Sequence, residues 1–221
     1  MNASATMALR RRYSSDMSLD TALNDFYTEH GFGETLGTRP RTVPVYTGCL
    51  LVPLPNIETR NRYLKYHDLH HLITGYSVGR IGEGQISAWE LGTGSLRESP
   101  MLALMNLIAL STGWVLAKEK MWVAYCRGCR SRNLYSSPAR SQIESGTWPN
   151  VDALRRATVD IDPERPIRLA DRITYRVCVG LSLCVHAAIA IPAVIVRTAS
   201  DLAHGKSIRE VMRPKRRTDL Y

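Results

Sequence analysis

The residues able to do chemistry gather in one stretch, Tyr66-His67-Asp68-Leu69-His70-His71, followed at a distance by Glu83. His67, Asp68, His71 and Glu83 are all ligand types for a divalent cation. On a helix, His67 and His71 project from one face, one turn apart. Asp68 is turned by about 100° and reaches the edge of the same site. Glu83 cannot share that face, because its offset from His71 is a poor multiple of about 3.6 residues. Gly75, Gly79 and Gly82 also stand between them. The simplest geometry is two helices joined by a glycine-rich turn, with Glu83 brought back against the histidines. Two imidazoles and two carboxylates suit zinc, iron, manganese or cobalt. The lack of cysteine points to a site with an open position, where the cation acts as a Lewis acid or orients a substrate carboxylate. His70 is turned about 60° from His71's side of the pattern and reads as a supporting or surface residue. Glu90 shares a helix face with Glu83 and is a candidate supporting carboxylate.

These groups need helices to hold them. Asn56 is a plausible N-cap, Glu58 suits the first turn, and Gly75 suits the C′ position after Thr74. A second helix is expected over 84–91, ended by Gly92-Thr93-Gly94. Ser99-Pro100 starts a third, whose run from Met101 to Ala117 is apolar almost all round. That run is short of the roughly 20 residues a bilayer span needs. Leu19 to His30 reads as a short helix, and 31–54 as an extended wrapping segment. Within it, Val43 to Tyr46 and Cys49 to Val52 are short strands or apolar coil. Residues 136–149 read as a loop, Asn150 to Thr158 as a short helix, and 160–166 as a linker.

His67-Asp68-Leu69-His70-His71, eleven residues and then Glu83 resembles the zinc signature of the coenzyme Q (ubiquinone) biosynthesis protein 4 family. Tyr63 to Tyr66, Leu72 to Tyr76, Ile81-Gly82-Glu83, Pro100-Met101 and Asn133-Leu134-Tyr135 are similar too, so the likeness runs from about Pro53 to Tyr135. It implies zinc held by His67, Asp68, His71 and Glu83, and a buried bundle helix after Ser99. It also implies oxidative replacement of the carboxyl group of a polyprenyl-hydroxybenzoate ring by a hydroxyl, and partners that are prenyl-lipid ligands, a biosynthetic complex or a second copy. In a eukaryote the implied place is the matrix side of the mitochondrial inner membrane. Two alternatives stand beside this reading: a metal-stabilised prenyl-lipid-binding scaffold without turnover, and a metal-dependent hydrolase. The hydrolase lacks its usual upstream His and downstream Asp.

The rest of the chain sets the setting. A net charge of +9 suggests an anionic partner such as a membrane surface. No nucleic-acid module is present, and few aromatics separate Arg127, Arg130, Arg132 and Arg140. Those arginines form a basic patch that is either a solvated face or a holder of an anionic headgroup. Five cysteines, with no secretory signal in view, fit reduced thiols in a cytoplasmic compartment. Cys126-Arg127-Gly128-Cys129 is a lone CxxC, without the further ligands structural zinc requires. Residues 1–18 read as a flexible basic tail around Arg10-Arg11-Arg12. Val177 to Val196 carries no formally charged residue and is long enough to span a bilayer, though Ser182, His186 and Pro192 also suit a helix packed on the bundle or lying in the membrane interface; Lys206, Arg209, Arg213, Lys215, Arg216 and Arg217 follow it, a pattern suited to peripheral attachment to an anionic membrane. The expected architecture is mainly α: one helical bundle-like domain over 19–160 with a metal site between two helices, and an apolar and basic C-terminal helical extension over 161–221.

Overall fold

The computed structural model describes residues 16–30, 42–47, 50–55, 58–203 and 205. The Asn56 cap, most of the basic N-terminal tail and the basic residues after 205 lie outside that set. Helices dominate: α1 (Leu19–Glu29), α2 (Glu58–Thr74), α3 (Arg80–Gly92), α4 (Pro100–Cys129), α5 (Ser137–Glu144), α6 (Val151–Thr158) and α7 (Leu169–Ala203). A two-stranded antiparallel hairpin, β1 (Thr42–Thr47) and β2 (Leu50–Pro55), precedes α2, with Val45 opposite Val52.

The helix ends follow local chemistry. The Ser18 hydroxyl accepts from the Thr21 N–H at the start of α1, and the Asn150 side chain accepts from the Ala153 N–H at the start of α6. Gly75 at φ 78 ends α2, where a side chain would strain the backbone. The last carbonyls of α2, left without partners in the helix, receive two arginines from distant helices. Arg155 donates to Leu72 O and Ile73 O, and Arg127 donates to Thr74 O at 2.9 Å. The expected loop over 136–149 instead begins with helix α5. Ser136 caps it and Pro138 lies in its first turn, a start signal that the Ser, Pro and Gly content of the segment obscures.

The core lies between α3 and α4. The Cα atoms of Gly84 and Gly113 face each other so closely that a Cβ on Gly84 would lie 2.6 Å from Gly113 Cα. The expected apolar helix ending near Ala117 continues to Cys129, bent at Ala117 (φ −158, ψ 63), so α4 follows α3 on both sides of the bend. Trp89, Ile86, Leu110, Met121 and Ala124 are fully buried there. Asn106, buried in the same region, donates to the Ser95 hydroxyl at 3.2 Å. The basic patch is largely consumed internally. Arg127 also pairs with Asp160, Arg130 donates to Arg165 O, and Arg140 donates to Tyr135 O while lying over the Tyr63 ring.

Candidate metal centre

Where α2 and α3 meet, three acceptors point at one spot. His67 and His71 sit one turn apart on α2, and Glu83 sits in the first turn of α3, next to the tight 75–79 connection. Gly82 packs against the Ser77 backbone, which leaves no room for a side chain and draws Glu83 toward α2. His67 Nε2 lies 3.3 Å from His71 Nε2. Glu83 Oε2 is 3.4 Å from His67 Nε2, and Glu83 Oε1 is 3.4 Å from His71 Nε2. One ligand atom from each of the three residues falls within 4.8 Å of the others, so the group can hold a metal ion.

The outer nitrogens fix which lone pairs are available. His71 Nδ1 lies 2.9 Å from Tyr76 O, and a carbonyl only accepts, so Nδ1 carries the proton. His67 Nδ1 lies 2.9 Å from Glu90 Oε1, and a carboxylate there makes it a donor too. Both Nε2 atoms therefore present lone pairs to each other and to Glu83. Such a convergence is repulsive unless a proton or a cation fills it. Burial opposes charge on His67, but the Glu90 and Glu83 carboxylates outweigh it and hold its pKa well above the usual imidazole value. Glu83 is pulled the other way: against the cost of burial, the histidines bring its carboxyl down to about 2. The Glu83 side chain is 37% exposed while that of His71 is 1% exposed, so the group opens to solvent on the Glu83 side.

Behind the ligands lies a buried hub. Glu90, wholly buried, accepts on Oε1 from His67, from His70 Nδ1 at 2.8 Å and from the Tyr135 hydroxyl at 2.6 Å. The Leu134 N–H donates to His70 Nε2 at 2.9 Å, which leaves the Nδ1 proton for Glu90 and occupies both His70 nitrogens. His70 is thus buried, not at the surface, and burial lowers its pKa. Glu90 Oε2 finds no hydrogen-bond partner among the described residues. The hub fixes the His67 ring in the orientation that aims Nε2 at Glu83, the arrangement by which carboxylates orient metal-binding histidines.

Asp68 stands outside the three-residue group. It is buried and hydrogen-bonded to the Tyr27 hydroxyl on α1, and burial raises its pKa while His67 and His71 oppose the rise. α1 also lays Phe26 against the His71 ring, 6.1 Å between centroids. The roles of Tyr27, Tyr135 and the Tyr76 carbonyl carry no spacing signal, because they reach the site from other elements. Tyr76 and Tyr135 had a trace in the sequence only through the resemblance, within Leu72 to Tyr76 and Asn133-Leu134-Tyr135. The CxxC holds no comparable site. Cys126 and Cys129 lie at the end of α4, burial pushes both thiols up, Cys126 to about 11, and no third ligand joins them among the described residues.

Comparison of the chain with protein-family models, with curated proteins and with solved structures returned no match.

Proposed function

We propose that the protein is a metal-dependent enzyme with the chemistry its motif resembles, replacing the carboxyl group of a polyprenyl-hydroxybenzoate ring by a hydroxyl. The observation that carries this reading is the convergence of two imidazole lone pairs and one carboxylate, with one side open to solvent. Three protein ligands and a free position suit catalysis more than a closed structural site. Zinc is the cation proposed. Two imidazoles and a carboxylate are donors that zinc accepts, and the signature the motif resembles is a zinc site.

The bound cation would supply Lewis acidity to grip and polarise the ring carboxylate. The chain's own residues do the rest. His67 and His71 keep their protons on Nδ1, so neither competes for the substrate at Nε2. Glu90, held by His70 and Tyr135, keeps the His67 ring from turning. Dioxygen is the oxidant proposed, because zinc keeps one oxidation state: dioxygen takes two electrons and leaves as hydrogen peroxide, water supplies the new hydroxyl oxygen, and the carboxyl carbon leaves as carbon dioxide.

The test uses a prenylated 4-hydroxybenzoate with an isotopically labelled carboxyl group. Zinc-loaded protein under dioxygen is expected to release labelled carbon dioxide, and His71→Ala protein is expected not to. Absence of release with zinc, iron, manganese and cobalt alike would contradict the reading.

A further inference from the structure

α7 has two unlike sides. Tyr175, Cys178, Val179 and Ser182 are buried, α7 packs against α4, and His186 Nδ1 donates to the Ser111 hydroxyl at 2.8 Å, since that hydroxyl already donates to Ile108 O. The other side is apolar and uncovered. Ile173, Val177, Leu181, Ile191 and Ile195 are each more than half exposed. Their spacing keeps them within a narrow arc of the helix, over a length of about 33 Å at 1.5 Å per residue. α4 and α7 have the same mean hydropathy of 1.6 over their most apolar windows, yet 39% of that window is buried in α4 and 17% in α7. α4 is a core helix; α7 leaves most of its apolar window outside the core.

Charge along this face is of one sign. Arg172 and Arg176 are exposed and lie along one edge of the stripe, and no Asp or Glu occurs between Arg172 and Ser200. We propose that the outer stripe of α7 lies flat in the interface of an anionic lipid bilayer. Its aliphatic side chains enter the acyl boundary, and Arg172 and Arg176 reach the headgroups.

Two other occupants fit less well. A second copy of this helix would bring arginines and aliphatic side chains to its own flanks, with no carboxylate to meet Arg176, where paired helices place opposite charges. A bilayer span would require α7 to leave α4 and would carry His186 away from Ser111 into hydrocarbon. The proposal does not depend on the metal centre.

Flotation of the full chain with vesicles tests it. Wild-type protein is expected to float with phosphatidylcholine–phosphatidylglycerol vesicles, and far less with phosphatidylcholine alone. Arg172→Ala with Arg176→Ala should weaken binding by about 30-fold, from about 1 kcal/mol per basic residue at an anionic surface. Val177→Glu with Leu181→Glu, at exposed positions, should abolish flotation while melting temperature and zinc content stay at wild-type values. High salt should release bound wild-type protein. Four results would overturn the proposal: wild-type protein that stays unbound, a Val177→Glu and Leu181→Glu variant that binds as well as wild type, binding that only detergent reverses, or a wild-type dimer that this variant splits into monomers.

Discussion

At the junction of α2 and α3, polar side chains occupy places that a core ordinarily gives to apolar ones. His70 and Glu90 have no exposed surface, and His71 has almost none. On the outer side of α7 the departure is reversed, with Val177 at 53% and Leu181 at 52% exposure. Buried polar groups persist only when satisfied, and wide apolar surfaces persist in water only at a cost. In the first region most polar groups are satisfied within the chain, and His67, His71 and Glu83 converge on a gap that a cation can fill. In the second the chain covers one side and leaves the other exposed. Under the two proposals, each departure from ordinary burial marks the place where the molecule meets something outside itself.

The comparison breaks most readily at the ligands. His67→Ala with His71→Ala should reduce bound zinc from about one ion per chain to below about a tenth, by elemental mass spectrometry, because only Glu83 of the group then remains. Next in size is the packing that holds α3 in place. Gly113→Val puts a branched side chain against Gly84 Cα and should cost about 3 kcal/mol or more, lowering the melting temperature by about 6–12 °C. Retention of the wild-type melting temperature would show that α3 and α4 do not depend on this approach.

Glu90→Gln sharpens the account of the hub. It keeps the shape but weakens the acceptor for His67, His70 and Tyr135, and zinc affinity should fall by about 10–100-fold with the fold retained. Asp68→Asn should change affinity by less than about tenfold, since Asp68 bonds Tyr27 outside the three-residue group; loss of zinc equal to that of the histidine variants would make Asp68 a direct ligand. The pH dependence follows from His67. Its folded pKa lies well above 6.5, so it adds stability to the metal-free protein that is fully present below about 6.5 and is lost as pH rises through the elevated value. Zinc competes with that proton, so the rise in melting temperature on adding zinc should grow with pH over the same window. A zinc effect that shrinks with rising pH would exclude His67 as a ligand.

Much of the centre was legible because it is local. The spacing of His67 and His71 within one helix, and the glycines that return Glu83, follow from helical period and turn chemistry alone. The mainly helical architecture followed from the same signals, and Ser99-Pro100 marked the start of α4. What the sequence hid comes from tertiary contact. Nothing near Tyr27 announces that its hydroxyl will meet Asp68, and nothing in Arg155 announces a cap for α2 across the fold. Sequence placed His70 either behind the ligands or at the surface, and only packing decides, since the Leu134 N–H reaches it from a distant segment. α4 passed its expected end because a bend at Ala117 lets an apolar helix continue as an amphipathic one. α5 was hidden because Ser and Pro serve equally well in loops and in the first turn of a helix.

The central claim is that His67, His71 and Glu83 bind one cation with a position left open. X-ray absorption at the zinc edge of the zinc-loaded protein reads those ligands directly. The expected spectrum contains two imidazoles and light oxygen donors in a four-coordinate shell, with one imidazole contribution lost in His67→Ala protein. A sulfur ligand, fewer than two imidazoles in the wild type, or an unchanged shell in the variant would contradict it.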